Sequence, residues 1–179
     1  MSNVTVSGVP ATETIPILDF GSQYTQLIAR RIRELGAFSL LVAPDTDLET
    51  IRGLNPKGII LSGGPSSVNE SGAPTCDPGI LDLGVPVLGI CYGMQLGCEM
   101  LGGTVKSSAT REFGRAQLEI NDSTDLLAGI PARTSVWMSH GDQVTGLSEM
   151  FESVASTATC PFAAVRHRER PFYGVQFHP

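Results

Sequence analysis

Short apolar runs alternate with helical patterns through residues 15–103, and this alternation constrains the fold more than any other feature. The apolar runs predict strands over residues 15–18, 38–42, 58–61 and 86–90. Helical spacing of apolar residues predicts helices over residues 23–35, 48–54 and 77–83, and a further helix after Cys91. Strands that alternate with helices in this way predict a parallel sheet with helices on both faces.

The second half of the chain has strand-like runs with shorter connections, at residues 111–120, 135–138, 162–165 and 172–177. We expect these runs to extend the same sheet and to add a small antiparallel portion. The predicted fold class is therefore α/β, an open and mostly parallel sheet flanked by helices. A single domain over residues 15–179 follows, preceded by a small, polar tail over residues 1–14 that we expect to be disordered.

The chain is acidic, which bears on its partners and its compartment. It carries 18 acidic and 12 basic residues, a formal net charge of −6. Nucleic-acid binding depends on Lys and Arg, so we expect none; the short basic stretch at residues 166–170 is expected to be a solvated loop. We expect no membrane association either, because no segment has the roughly 18 apolar residues that a spanning helix needs. Without an export signal, the protein is expected to be cytoplasmic with reduced thiols.

The sequence GICYG at residues 89–93 places a cysteine at a tight corner between a predicted strand and a predicted helix. This spacing matches the nucleophile elbow G-x-S-x-G, with Cys91 in place of serine. An elbow projects its side chain from the carboxyl edge of the sheet, and the helix N-terminus is expected to lower the pKa of the thiol. The N–H of Tyr92 would then be available to an oxyanion. An ordinary buried thiol in a tight turn remains the alternative, and we expect structural roles for Cys76, Cys98 and Cys160.

A cysteine nucleophile needs an oxyanion site and a base. The loop SGGP at residues 62–65 follows another predicted strand, and its two glycines allow N–H groups to turn toward a ligand. His140 and His178 each follow strand-like runs, so either could be the base, whereas His167 is expected to be solvated. The residues alone leave the choice of histidine open.

Four segments together resemble the class I (triad-type) glutamine amidotransferases. They are GICYGMQ (89–95), SGGPSSV (62–68), WMSHGD (137–142) and GVQFHP (174–179). Within that family, ILDFGSQYTQ (17–26), REFGR (111–115) and SHGD (139–142) are most similar to the glutaminase domains of GMP synthetases. The resemblance runs from about residue 15 to residue 179 and implies a flavodoxin-like arrangement of the sheet.

The resemblance also implies roles for individual residues. Cys91 would attack the side-chain amide of L-glutamine, and His178 would act as base and then as acid. The N–H groups of Gly64 and Tyr92 would form the oxyanion hole. The residues implied on the substrate side are Gly63, Gln95, Ser139, His140 and Asp142. No metal and no organic cofactor is implied for the glutaminase step.

The family further implies a partner that consumes the ammonia. In GMP synthetases this is an ATP-pyrophosphatase synthetase domain or subunit, which uses ATP and Mg²⁺ to aminate XMP and is absent from this sequence. Any homodimer is expected to form only through that C-terminal part. Two alternatives remain: the amidotransferase of another synthase, of the anthranilate or aminodeoxychorismate type, or a non-catalytic regulatory module of the same fold.

The resemblance departs from the family pattern at one point. Family members continue His-Pro-Glu, and the glutamate orients the histidine, whereas this sequence stops at Pro179. If the natural chain is longer, the acid lies beyond residue 179, and the chain is a domain of a larger enzyme. If the chain is whole, we expect much reduced glutaminase activity.

Overall fold

The computed structural model describes residues 13–179. Residues 1–12 of the tail that we expect to be disordered therefore lie outside the described residues. The last residue of that predicted tail, Thr14, begins the first strand. The strands are β1 (Thr14–Leu18), β2 (Phe38–Val42), β3 (Ile59–Leu61), β4 (Val87–Ile90), β5 (Thr104–Ile120), β6 (Arg133–Gly146), β7 (Phe151–Ser156), β8 (Ala164–His167) and β9 (Phe172–Val175). The helices are α1 (Thr25–Glu34), α2 (Leu48–Gly53) and α3 (Tyr92–Met100), with short 3₁₀ helices at Pro78–Asp82 and Asp125–Leu127.

The strands of the described residues form one nine-stranded sheet in the order β2-β1-β3-β4-β9-β8-β7-β5-β6. The first five strands in this order run parallel to their neighbours, and the remaining four pair in antiparallel fashion. The predicted α/β class with flanking helices is confirmed. The antiparallel portion is larger than expected, because β5 and β6 are much longer than the apolar runs inside them. None of the helices in these residues is long and apolar enough to span a membrane.

The order of the sheet brings the ends of three separate segments together. β4 lies between β3 and β9, and all three are parallel. Their carboxyl ends therefore lie at one edge of the sheet, where α/β proteins place their sites. These ends lead into residues 62–65, Cys91 and residues 176–178.

Helix α3 is buried along most of its length, and this fixes the position of its first residue. Its residues 92–98 are all buried, because the helix packs against β3 and β9 as well as against β5 and β6. The contact with β9 is close: a Cβ built at Gly97 would lie 2.4 Å from the ring of Phe172. Glycine at this position allows α3 to approach β9 closely.

Helix α1 begins later than the sequence predicts. The sequence predicts a helix from residue 23, but the helix begins at Thr25 after Tyr24, which provides no side-chain cap. The Ser22 hydroxyl accepts a hydrogen bond from the N–H of Tyr24 at 3.1 Å, and Asp19 accepts one from the Thr25 hydroxyl at 2.9 Å. These short-range bonds give residues 19–24 a defined turn beside the carboxyl edge of β1.

The basic stretch 166–170 is only in part the solvated loop that was expected: Arg168 and Glu169 are exposed outside the strands, but the first two residues are not in a loop. Arg166 and His167 belong to β8, and His167 is buried against the ring of Phe151. Arg166 is paired with Glu152 and Asp122 at 2.6 and 2.9 Å. The charge of Arg166 is therefore neutralised within the protein.

Candidate active site

Cys91 occupies a strained corner between β4 and α3. Its φ is 52° and its ψ is −108°, in a region that non-glycine residues rarely adopt. The flanking glycines are required by contact distances: a Cβ at Gly89 would lie 2.6 Å from the carbonyl of Gly93, and a Cβ at Gly93 would lie 2.2 Å from the carbonyl oxygen of Leu61. The corner therefore has the geometry of the predicted nucleophile elbow.

The sulfur of Cys91 has polar neighbours on two sides. Sγ lies 3.6 Å from the carbonyl oxygen of Ser139 and 3.5 Å from Nε2 of Gln176. Burial raises the pKa of Cys91 to about 11, while the N–H of Tyr92 and the amide of Gln176 lower it. The expectation of a lowered thiol pKa is wrong for the free protein, because the cost of burying a thiolate exceeds the stabilisation by these donors.

His178, and not His140, packs with Cys91 against Gly63. A Cβ built at Gly63 would lie 3.5 Å from Cε1 of His178 and 3.6 Å from Cβ of Cys91. Both side chains therefore pack against this glycine. The N–H of His178 donates to the carbonyl of Trp137 at 2.9 Å, and its ring lies 4.9 Å from that of Tyr24. Burial, and secondly the positive charge of His140, lowers the pKa of His178. The neutral imidazole, which is the form that a base requires, is favoured.

The loop after β3 faces this pair. A Cβ at Gly64 would lie 2.4 Å from the carbonyl oxygen of Phe20, so only glycine fits there. The Ser62 hydroxyl holds the loop in place, since it accepts from the N–H of Phe20 at 2.9 Å and donates to the carbonyl of Gly63 at 2.9 Å. Tyr92 is the first residue of α3, and its N–H has no acceptor within the helix.

A cavity of about 440 Å³ opens over these groups, a volume that suits a small ligand. Among the predicted site residues, all but Gly63 line the cavity, and Gly63 lies behind it against Cys91 and His178. The cavity is lined by residues 21–24, 64–67, Glu70, Cys91, Tyr92, Gln95, Arg111, Phe113, residues 139–142 and His178.

His140 is buried within β6 and has both ring nitrogens occupied. Nδ1 lies 2.9 Å from the carbonyl oxygen of Asp142, and Nε2 lies 2.9 Å from Oε2 of Glu112. A carbonyl oxygen can only accept, so Nδ1 carries a hydrogen, and a second proton must lie between Nε2 and the carboxylate. Glu112 also accepts from the hydroxyls of Thr157 and Thr159. His140 therefore holds the backbone of Asp142 through Nδ1 and the carboxyl group of Glu112 through Nε2.

The same region contains the one group in residues 13–179 whose ligand atoms lie close enough to hold a metal. The ligand atoms of Glu112, His140 and Cys160 lie within 4.8 Å of one another. The hydrogen bonds described above already account for the polar atoms of Glu112 and His140. That the site works without a metal stays a prediction.

Two residues of the site were missed by sequence reasoning. Glu112 lies in REFGR and Gln176 lies in GVQFHP, but neither was assigned a role. Gln176 is completely buried, which is unusual for a polar side chain and requires hydrogen-bond partners. A signal existed for Gln176: it precedes His178 by two residues, and extended backbone places such residues on one face.

Residues 16–179 match the family model of class-I glutamine amidotransferases. The chain belongs to this family. It is 57% identical over 166 residues to a GMP synthase (glutamine-hydrolysing) of Synechococcus sp. (strain CC9605), which covers 92% of the chain and 31% of that protein. It is 53% identical over 174 residues to the GMP synthase of Enterococcus faecalis, covering 97% of the chain and 34% of that protein. The chain thus spans about a third of the length of these relatives.

Solved structures show the same fold. A Thermoplasma acidophilum protein, described as a candidate subunit of GMP synthase, superposes with a TM-score of 0.86 at 32% identity, covering 96% of the chain and 86% of that structure. A glutamine amidotransferase of Thermotoga maritima superposes with a TM-score of 0.73 at 21% identity, covering 93% and 75%. In this member of the class-I family, Cys91, His178 and the glycine-containing loop after β3 surround one cavity.

Proposed function

We propose that this domain hydrolyses L-glutamine to glutamate and ammonia through a thioester on Cys91. The observation that carries the proposal is the meeting of Cys91 and His178 at Gly63, at the floor of a cavity that also receives Gly64 and Tyr92. Family membership supports the same chemistry.

In the first half of the reaction, the Cys91 thiol transfers its proton to His178 as sulfur attacks the carbonyl carbon of the substrate amide. The oxygen gains negative charge in the tetrahedral intermediate, and the N–H groups of Gly64 and Tyr92 would stabilise it. One such donor contributes about 10²–10³ in rate in comparable enzymes. The His178 imidazolium then gives its proton to the amide nitrogen as the C–N bond breaks, and that nitrogen leaves as ammonia.

In the second half, the γ-glutamyl thioester is hydrolysed. His178, neutral again, removes a proton from a water molecule that attacks the thioester carbonyl. The same oxyanion donors serve the second tetrahedral intermediate, and the Cys91 thiolate leaves and takes back the proton from His178. Gln95, Ser139, His140 and Asp142 are proposed to form the substrate side of the cavity, and no metal or organic cofactor takes part.

We further propose that the ammonia serves GMP synthesis. Both curated relatives named above are GMP synthases, and this favours GMP over an anthranilate-type synthase. The ammonia would pass to an ATP-pyrophosphatase domain or subunit that aminates XMP with ATP and Mg²⁺ in the cytoplasm. Any homodimer is proposed to form through that part.

The test compares Cys91→Ala with Cys98→Ala, which removes a buried thiol seven residues along in the body of α3. Ammonia release from glutamine is measured for the chain and for the full product of its gene. Cys91→Ala should abolish ammonia release, and Cys98→Ala should retain it. In the full product, Cys91→Ala should still make GMP from XMP when ammonium is supplied.

Two results would refute the proposal. Ammonia release that survives Cys91→Ala rules out the thioester, and a gene product that never releases ammonia supports a non-catalytic module instead. If the full gene product hydrolyses glutamine but XMP is not aminated with the synthetase domain or subunit present, glutamine hydrolysis stands and the proposed role in GMP synthesis is refuted.

A further inference from the structure

One backbone carbonyl decides how two buried glutamine side chains are oriented. The carbonyl oxygen of Asp142 lies 2.9 Å from Nε2 of Gln95, and because it can only accept, the NH₂ group of Gln95 must face it. The same Nε2 lies 3.1 Å from Oε1 of Gln176 and donates its second hydrogen there. Gln176 therefore has its oxygen turned toward Gln95 and its NH₂ group turned away.

The NH₂ group of Gln176 then faces the nucleophile. Its Nε2 lies 3.5 Å from Sγ of Cys91, within hydrogen-bond distance for sulfur. The Gln176 side chain is completely buried and Gln95 is 3% exposed, so water does not compete for these bonds. The donor end of Gln176 cannot turn away from sulfur without losing the bond from Gln95.

We propose that Gln176 is a further catalytic residue, which stabilises the Cys91 thiolate by donating an N–H···S⁻ hydrogen bond in an orientation imposed by Gln95 and the Asp142 carbonyl. This rests on the proposed function, since the thiolate is the nucleophile of that reaction. A hydrogen bond to a charged acceptor is stronger than one to a neutral acceptor, so Gln176 favours the thiolate over the thiol. The direction agrees with its lowering of the pKa of Cys91.

The chemical consequence is that the Gln176 hydrogen bond offsets part of the cost of forming a thiolate in a buried position. Burial alone would disfavour the thiolate strongly. Gln176 offers a fixed donor at the sulfur before substrate arrives, as the N–H of Tyr92 does from the start of α3. Gln176 is held by Gln95 of α3, and Gln95 is held by the Asp142 carbonyl of β6. The same carbonyl contacts His140, which is paired with Glu112.

The experiment measures the pH dependence of Cys91 alkylation by iodoacetamide, with no substrate, followed by peptide mass spectrometry. Gln176→Met keeps the length of the side chain and removes the donor. Gln176→Glu keeps the acceptor for Gln95 and puts a carboxyl group beside the sulfur. The matched control is Gln143→Leu, since Oε1 of Gln143 is buried without a hydrogen-bond partner.

We expect Gln176→Met to move the inflection of the alkylation profile upward by about one pH unit, which corresponds to about 1.4 kcal/mol. Gln176→Glu should move it further, and Gln143→Leu should leave it unchanged. If Gln176→Met does not fold, as judged by its urea transition, Gln95→Leu takes its place. It frees the Gln176 amide to turn and should give a smaller upward shift.

The outcomes separate this inference from the proposed function. Unchanged inflections in the folded Gln176 variants overturn the inference, even if the wild type hydrolyses glutamine. Shifted inflections in a protein that releases no ammonia support the hydrogen bond to the thiolate and count against the glutaminase proposal.

Discussion

Oε2 of Glu112 lies 2.9 Å from Nε2 of His140, and both side chains are largely withdrawn from solvent, with 13% and 1% of their surfaces exposed. The two residues belong to neighbouring strands, β5 and β6, and face each other in the antiparallel register. Through Nδ1 of His140 the pair also holds the Asp142 carbonyl, which receives Gln95. The hydrogen-bonded pair of Glu112 and His140 is thereby linked through the Asp142 carbonyl to Gln95, which lines the cavity.

Replacing Glu112 tests the electrostatic part of this connection. Glu112→Gln can donate an amide hydrogen to Nε2, so the contact survives while the shared proton and its charge are lost. Since the charge of His140 lowers the pKa of His178, we expect that pKa to rise in the variant. Histidine NMR titration measures it directly, and the acid limb of the kcat/KM profile should move to higher pH.

Glu119→Gln is the control for this substitution, because Glu119 lies on the same strand but pairs with the exposed Arg133. An unchanged His178 titration in Glu112→Gln would show that the pair only supports the fold.

The elbow should not tolerate a methyl group at Gly93. The added Cβ would overlap the backbone of Leu61, at 2.2 Å from its carbonyl oxygen, and backbone cannot move aside as a flexible side chain can. We expect Gly93→Ala to reduce the free energy of unfolding by about 3 kcal/mol or more, as strongly overpacked core sites do. Urea denaturation measures the change. Gly53→Ala in α2, where a Cβ has open space, should be close to neutral; equal effects at the two sites would contradict the close packing.

The four cysteines should differ sharply toward a glutamine-like electrophile. Cys91 lines the cavity, whereas Cys76, Cys98 and Cys160 are buried away from it, and burial raises the pKa of each of these three to about 12. We expect one modified site per native chain, at Cys91, and four reactive thiols after unfolding in urea. Site-resolved mass spectrometry counts them, with Cys91→Ala as the unlabelled control. Rapid native labelling at Cys98 would be incompatible with the packing of α3.

His167 should make the protein sensitive to mild acid. Nδ1 of His167 accepts from the N–H groups of Glu169 and Arg170 at 3.2 and 3.0 Å, so that nitrogen must be unprotonated. Burial, and secondly the charge of Arg170, lowers the pKa of His167. Because the unfolded chain then binds the proton more readily, stability is present above the unfolded pKa of about 6.5 and is lost as pH falls below it.

Urea midpoints between pH 5 and pH 8 measure this loss. His167→Asn retains an acceptor for both N–H groups and does not titrate, so its midpoint should vary less with pH. A wild-type midpoint that stays flat across this range would contradict the expected linkage.

The presence of β1 to β4 and of the helices between them could be predicted because each of these strands lies in a short apolar run and helical patterns separate the runs. The antiparallel half was predicted less well. β5 and β6 extend through polar residues such as Lys106 and Gln143, which pair by backbone hydrogen bonds and leave no apolar pattern. β7 was missed, because its side chains alternate irregularly around a register shift.

By itself, the sequence determined the strained corner at Cys91 and its immediate surroundings, because the strand end, the flanking glycines and the helix start are local constraints. The residues alone left His140 and His178 as candidates, because both follow similar runs, and the family resemblance implied His178. The order of the sheet is the physical reason that His178 packs beside Cys91 at Gly63. Only the tertiary structure decided that Gln176 donates to Cys91 and that Glu112 and His140 share a proton. These contacts join residues 85 and 28 positions apart, and buried polar groups at such distances find their partners only when the strands are in register.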